Sequence, residues 1–181
     1  MKYFRPDLFI RGNSSDLDEA EAASEKWDAA LRRYSRHLKA VKKRLPAKAV
    51  RFVDELFLHD SEFIGVNLDR PDPRFLLLDD PHARVFARTD EALIVIDYQL
   101  AVEFEIVSGL LPERLVSGQP LWLYDEFDFD EVRRLAIHEV FLSNGTVIKF
   151  LFHGFDYAVL PLTALPGTQP AGGRSNQLVP A

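Results

Sequence analysis

The sequence predicts an α+β fold, and three patterns carry that prediction. Leu17, Ala20, Ser24, Trp27, Leu31, Tyr34, Leu38, Val41 and Leu45 recur at spacings of three and four, one face of a helix over 16–45. At 1.5 Å per residue such a helix is roughly 45 Å long. Beyond Leu56 the apolar period changes to two, the period of strands. Asn144-Gly145 between two apolar runs is the third pattern, a signal for a two-residue hairpin turn.

Each element follows in order. Residues 3–10 are apolar and aromatic and read as an extended arm or a short edge strand. Gly12 to Asp16 is a turn cluster, and Asp16 with Glu19 three residues later fits a capping-box start. The helix then carries its acids first and its bases last, which complements the helix dipole. Pro46 ends it and opens a shorter helix to Leu56, with Val50, Val53 and Phe57 on its apolar side. A turn near Asp60-Ser61 leads into strands, with a loop at 69–73 and short strands expected at 75–78, 84–88, 92–98 and 102–106. Leu93-Ile94-Val95-Ile96 is apolar on both faces and predicts a central strand. Leu121 to Phe127, the hairpin strands 135–143 and 146–153, and 156–162 complete an antiparallel sheet of about seven strands. One domain is expected over 1–163, helical over 16–56 and sheet over 57–163, followed by a flexible Pro/Gly-rich tail at 164–181.

Composition bounds the function. An apolar fraction of 47% with fourteen Phe in 181 residues supports a real core. A formal charge of -6 argues against nucleic acid and anionic membrane surfaces as partners. Cysteine is absent, which removes thiolate metal sites and Cys nucleophiles. No apolar run is long enough to span a bilayer and the first residues lack a signal-peptide pattern, so the expected location is cytoplasmic.

Few residues carry chemistry. With a two-residue loop Ser143 pairs with Thr146, which places His138 and His153 diagonally on one face of the hairpin. There they could share one divalent metal ion, with His59 and Asp60 as further ligands. The same register puts Glu139 among Ile137, Phe141, Phe150 and Ile148, where burial would raise its pKa and suit it to acid/base work. His59-Asp60-Ser61 suggests a relay, but adjacent strand residues point to opposite faces, so Asp60 is read first as a turn residue. The run Asp125 to Glu131 lacks the glycine and distal Glu of a calcium loop and reads as a solvated acidic turn. No Gly-rich phosphate loop, dinucleotide fingerprint or His-Glu-x-x-His run occurs, so no cofactor is expected.

The opening Met1-Lys2-Tyr3-Phe4-Arg5-Pro6-Asp7-Leu8 before a long charged helix resembles a family of uncharacterised bacterial proteins that begin in the same way. Leu58-His59-Asp60-Ser61 with the later Asn-Gly hairpin resembles small bacterial α+β proteins, some of them immunity factors that bind and block a toxin. The resemblance implies a bacterial protein and carries over no catalytic residue. The expected function is therefore a non-enzymatic, immunity-like protein–protein interaction module, the alternative being a metal-binding protein or metal-dependent hydrolase that uses the strand histidines. A monomer is the expected state. A homodimer across the helix is the alternative, since an antiparallel pair would set acidic against basic halves.

Overall fold

In the computed structural model, which describes residues 1–69, 81–112 and 118–164, helices come first and an antiparallel sheet follows, an α+β fold. Helix α1 spans Pro6–Gly12, where the sequence reading expects an extended arm. Proline at its start presets the backbone, with Asp7 in the first turn and Arg11 in the last. Helix α2 spans Leu17–Val41, and its N-cap Asp16 accepts from the backbone N–H groups of Asp18 and Glu19. Glu19 does not close the capping box: it takes the Ser14 hydroxyl at 2.8 Å and the Arg11 guanidinium at 3.2 Å. Helix α3 spans Ala47–Glu55 behind Pro46 and buries Ala49 and Phe52, while Phe57 beyond it lies exposed.

The buried face of α2 is rotated from the expected stripe. Ala23, Ala30 and Val41 are its buried residues, whereas Leu17 and Leu31 point to solvent. The cause is what fills the gap beneath it. The Trp27 ring lies 4.5 Å from Tyr124 and 5.3 Å from Phe4, and Phe4 also meets Tyr34 at 5.1 Å. With large rings already between helix and sheet, close approach needs alanine at 23 and 30. Trp27, Tyr34 and Leu38 thus dock within their own chain.

The strands are β1 Glu62–Asp69, β2 His82–Arg88, β3 Ala92–Val107, β4 Trp122–Asp130, β5 Leu135–Leu142 and β6 Val147–Pro161. They form one six-stranded antiparallel sheet in the order β1-β2-β3-β6-β5-β4. The expected strands 92–98 and 102–106 are one continuous strand, as are 146–153 and 156–162. Leu93 to Ile96 is central, between β2 and β6. The expected strand at 75–78, most of the loop at 69–73 and the tail beyond Ala164 lie outside the described residues. The two edge strands meet where they begin. Glu62 bridges Leu121, the Asp60 N–H donates to the Trp122 carbonyl at 2.8 Å, and the Phe63 N–H donates to the Pro120 carbonyl at 2.8 Å. The sheet therefore curls into a partly closed barrel, which protects both edges at that seam.

Two cores result. Inside the curl, Val85, Ile96, Tyr98, Phe127, Val140, Phe150 and Phe152 pack together and are covered by Val41, Leu45 and Phe52 from the helical layer. Burial of each large side chain there contributes roughly 1.5–3 kcal/mol. On the outer side, Leu111, Leu123, Phe141 and Val147 lie beneath Phe9 and Ile10 of α1.

Candidate functional site

The β5–β6 loop decides where the predicted site residues go. Leu142, not Ser143, opposes Thr146: the Leu142 N–H donates to the Thr146 carbonyl and the Gly145 N–H donates back to the Leu142 carbonyl. The loop is thus the three residues Ser143-Asn144-Gly145, with Gly145 at φ 77°. Ser143 is drawn out of the hairpin because its N–H donates to the Leu121 carbonyl and its hydroxyl accepts from the Leu121 N–H. A slip of one residue turns every side chain of one strand relative to the other. His138 consequently pairs with Phe150, and Glu139 pairs with Lys149.

His138 faces the inner core and is fully buried, whereas His153 lies exposed just before the irregularity where β6 shifts register against β3. Both His138 nitrogens are taken: Nδ1 lies 2.7 Å from the Tyr98 hydroxyl and Nε2 lies 3.1 Å from Asp125 Oδ2. Phe127 stacks on the ring at 3.9 Å, and Asp125 also accepts from the Trp122 indole. Burial, and next the Asp125 charge, push the Tyr98 hydroxyl well above its ordinary pKa, so it stays protonated as a donor. This relay is a satisfied buried network, and it leaves no lone pair for a metal. Among the described residues no group of three His, Asp or Glu side chains is arranged to hold a metal, so His59, His138 and His153 are not brought together.

Glu139 does not sit among phenylalanines as its expected register implied. It accepts from the Met1 amino group at 3.2 Å, beside its cross-strand neighbour Glu126. Glu126, expected within a solvated acidic turn, is instead the buried carboxylate of this region. The backbone N–H groups of Lys2, Tyr3 and Phe4 all donate to it. Burial raises its pKa, opposed by those three bonds. The rest of the acidic run is likewise consumed inside the chain: Asp128 pairs with His37 at 2.8 Å, and Asp130 caps the turn at Val132 and Arg133. It is mostly strand rather than a solvated turn.

What remains open is the outer face of β1-β2-β3-β6. The pairing registers stack it in rows: Asp69, His82, Gln99 and Gly154; Asn67, Arg84, Asp97 and Asp156; Gly65, Phe86, Val95 and Ala158; and Glu62, Arg88, Leu93 and Leu160. A charged half thus adjoins an apolar half. Lys48 of α3 reaches Asp156 on it, and Phe86, Leu93 and Val95 are half-buried there, although Leu93 to Ile96 reads as a strand apolar on both faces.

Each half ends in a concavity. At the charged end a cavity of about 620 Å³ is lined by Lys48, His82, Asp97, Gln99 and Asp156, and it extends to Val95 and Ala158 of the apolar half. His82 Nδ1 lies 2.5 Å from Asp97 Oδ1, Arg84 donates to Asp97 Oδ2 at 2.8 Å, and Lys48 pairs with Asp156. Partial burial pushes the Asp97 carboxyl up, but the bonds from Arg84 and His82 outweigh it and hold the pKa below the ordinary value. Gln99 lies over Gly154, where a Cβ would come within 1.8 Å of its amide oxygen. At the other end, by the barrel seam, a cleft of about 820 Å³ is lined by Phe57, His59, Asp60, Ser61, Asp90 and Glu91 among others. His59 and Asp60 therefore do share a concave site, with His59 Nδ1 3.0 Å from Asp60 Oδ2. Asp60 makes the expected turn, with φ at 65°, held by its bond to Trp122. The sequence signal for His82, Arg84 and Asp97 was alternation in two short strands, which cannot reveal a pair fifteen residues apart without the register.

Compared with known proteins, the chain is matched by no family model and by no curated protein.

Proposed function

We propose that this chain is a non-enzymatic protein-binding module whose partner docks on the outer face of β1-β2-β3-β6. The observation that carries the reading is the apolar half of that face. Phe86, Val95 and Ala158 form a row across three paired strands, and Leu93 and the 40% exposed Leu160 adjoin it. Scattered exposed apolar residues are ordinary, but a contiguous patch rimmed by charge marks an interaction surface. The rim here is Arg84 with Asp97, and Arg88 with Glu62. A polar rim around an apolar centre is the anatomy of a protein interface. Blocking a toxin, as immunity proteins do, is the form of this reading that the resemblance of Leu58-His59-Asp60-Ser61 and the Asn-Gly hairpin favours.

The test is site-specific photo-cross-linking in cells of the source organism. A photoreactive phenylalanine is placed at Val95 or Leu160, with Val132 as control because it is 94% exposed on the turn beyond β4, away from this face. The expected outcome is one and the same adduct from 95 and 160 and none from 132. The purified partner should then bind Val95→Lys at least about tenfold more weakly, the loss of a central apolar contact. Equal labelling from all three positions, or an adduct of the chain with itself, would refute the reading.

A further inference from the structure

The two concavities differ in charge balance, and that difference says which of them is built for a ligand. In the cavity beside α3 every charge has its counterpart: Lys48 with Asp156, and Arg84 and His82 with Asp97. The seam cleft is not balanced. Its carboxylates are Asp60, Glu62, Asp90 and Glu91, against one arginine, Arg88, which pairs with Glu62. His59 turns its Nδ1 toward Asp60. The side chains of Asp90 and Glu91 have no partner among the described residues.

Two observations independent of the carboxylates point to what would fill the cleft. The first is Ser61, only 5% exposed, whose hydroxyl makes no hydrogen bond among the described residues. Among the described residues no fully buried side-chain nitrogen or oxygen lacks a partner, so this hydroxyl opens into the cleft that it lines. It is an acceptor held ready at the floor of an acidic site. The second is Phe57, 84% exposed, whose ring stacks on His59 at 5.8 Å with planes 5° apart. The two rings lie parallel and offset, so the Phe57 ring presents a flat, open face at the edge of the cleft. A flat wall, carboxylates and a buried hydroxyl acceptor together match a planar cation that stacks and donates several hydrogen bonds at once.

We infer that the seam cleft is a receptor for a guanidinium group, an arginine side chain of the protein partner, seated on Phe57 and bound by Asp90, Glu91 and the Ser61 hydroxyl. The inference rests on the docking proposed above, since Glu62 and Arg88 belong both to the cleft and to the last row of the open face.

The experiment is a titration of the full-length, 15N-labelled chain with the peptide acetyl-Gly-Arg-Gly-amide, followed by amide chemical shifts. The neutral citrulline peptide and spermidine serve as comparisons. The arginine peptide should move the amides of Ser61, Asp90 and Glu91 to saturation, the citrulline peptide should not, and added salt should weaken binding. Asp90→Asn with Glu91→Gln should weaken it at least about fivefold, and Phe57→Ala about threefold. Phe57 is exposed enough that this variant keeps the fold. Equal binding of citrulline, tighter binding of spermidine, or shifts centred on Asp97 and Asp156 would overturn the inference. So would a shift of the Asp90 and Glu91 amides in free protein carrying Arg174→Ala, the one arginine of the 164–181 tail, because the chain's own cation would then fill the cleft. Cross-linking at Val95 without arginine binding removes this inference alone, and arginine binding without cross-linking removes the docking on the sheet.

Discussion

His138 stands at the centre of the inner core with both ring nitrogens committed, so the network is best read by taking one partner away. Tyr98→Phe keeps the ring that stacks on Phe150 at 4.2 Å but leaves His138 Nδ1 without its hydroxyl. A buried polar atom left unpaired costs about 1–3 kcal/mol, and urea unfolding should show a loss of that size. An unchanged midpoint would mean that the bond contributes nothing. Two carboxyls should respond to pH with opposite sign. The pKa of Asp97 is below its ordinary 3.8, so its stabilisation is complete above that value and is lost as pH falls through the lowered one. Glu126 is above its ordinary 4.5, so the fold favours its protonated form, and its contribution falls as pH rises from 4.5 through the raised value. Asp97→Asn should therefore flatten the acid side of the stability profile, and Glu126→Gln the decline above it, in unfolding curves taken from about pH 3 to 8. The sequence showed both as acids in alternating strands. It could not show which would meet cations and which would meet backbone N–H groups, because those partners lie 13 and 122–124 residues away.

At the scale of elements, α2 separates what periodicity says from what packing requires. A three–four spacing fixes that a helix exists and has an inner face, and both are present. It places that face only to within the width of one residue, and here alanines at 23 and 30 win because Phe4, Trp27 and Tyr124 already fill the gap. The rotation has a direct consequence. Leu31→Lys, at a position 45% exposed, should change stability by no more than about 0.5 kcal/mol. Ala30→Lys, its neighbour with no exposure, should cost several-fold more by forcing a long charged chain into a filled gap, about 3 kcal/mol or above. Thermal melting of the two variants decides between the expected stripe and the observed one. The hairpin teaches the same lesson more sharply. Asn-Gly correctly marks the turn, but the register hung on Ser143, which bonds Leu121 instead of Thr146. Those bonds come from another part of the chain, so nothing local in 135–153 could reveal them. One residue of slip was enough to separate His138 from His153 and to remove the geometry of the metal reading.

Across the whole molecule, the sheet has three kinds of surface: an inner face filled by its own core, an outer face beneath α1 and α2, and the outer face of β1-β2-β3-β6, where Phe86, Leu93 and Val95 are only half-buried. The first two were legible as α+β layering, because each amphipathic element needs a cover. The third is the mismatch between pattern and structure. Leu93 to Ile96 is written as a strand buried on both sides, yet only Ile94 and Ile96 are buried, while Leu93 and Val95 are half-buried. If Val95 belonged to a core essential for folding, a charge there would unfold the protein. If it belongs to a docking surface, the isolated protein should tolerate the charge and only binding should suffer. Val95→Lys should therefore leave the unfolding midpoint within about 1 kcal/mol of the parent, whereas Ile96→Lys, one residue along and facing inward, should abolish folding at a cost of about 4 kcal/mol or more. The comparison is made on one strand and with one substitution, so propensity and charge cancel and only the face differs. Equal damage from both would place Val95 in the fold's own core and withdraw the surface on which a partner is proposed to dock.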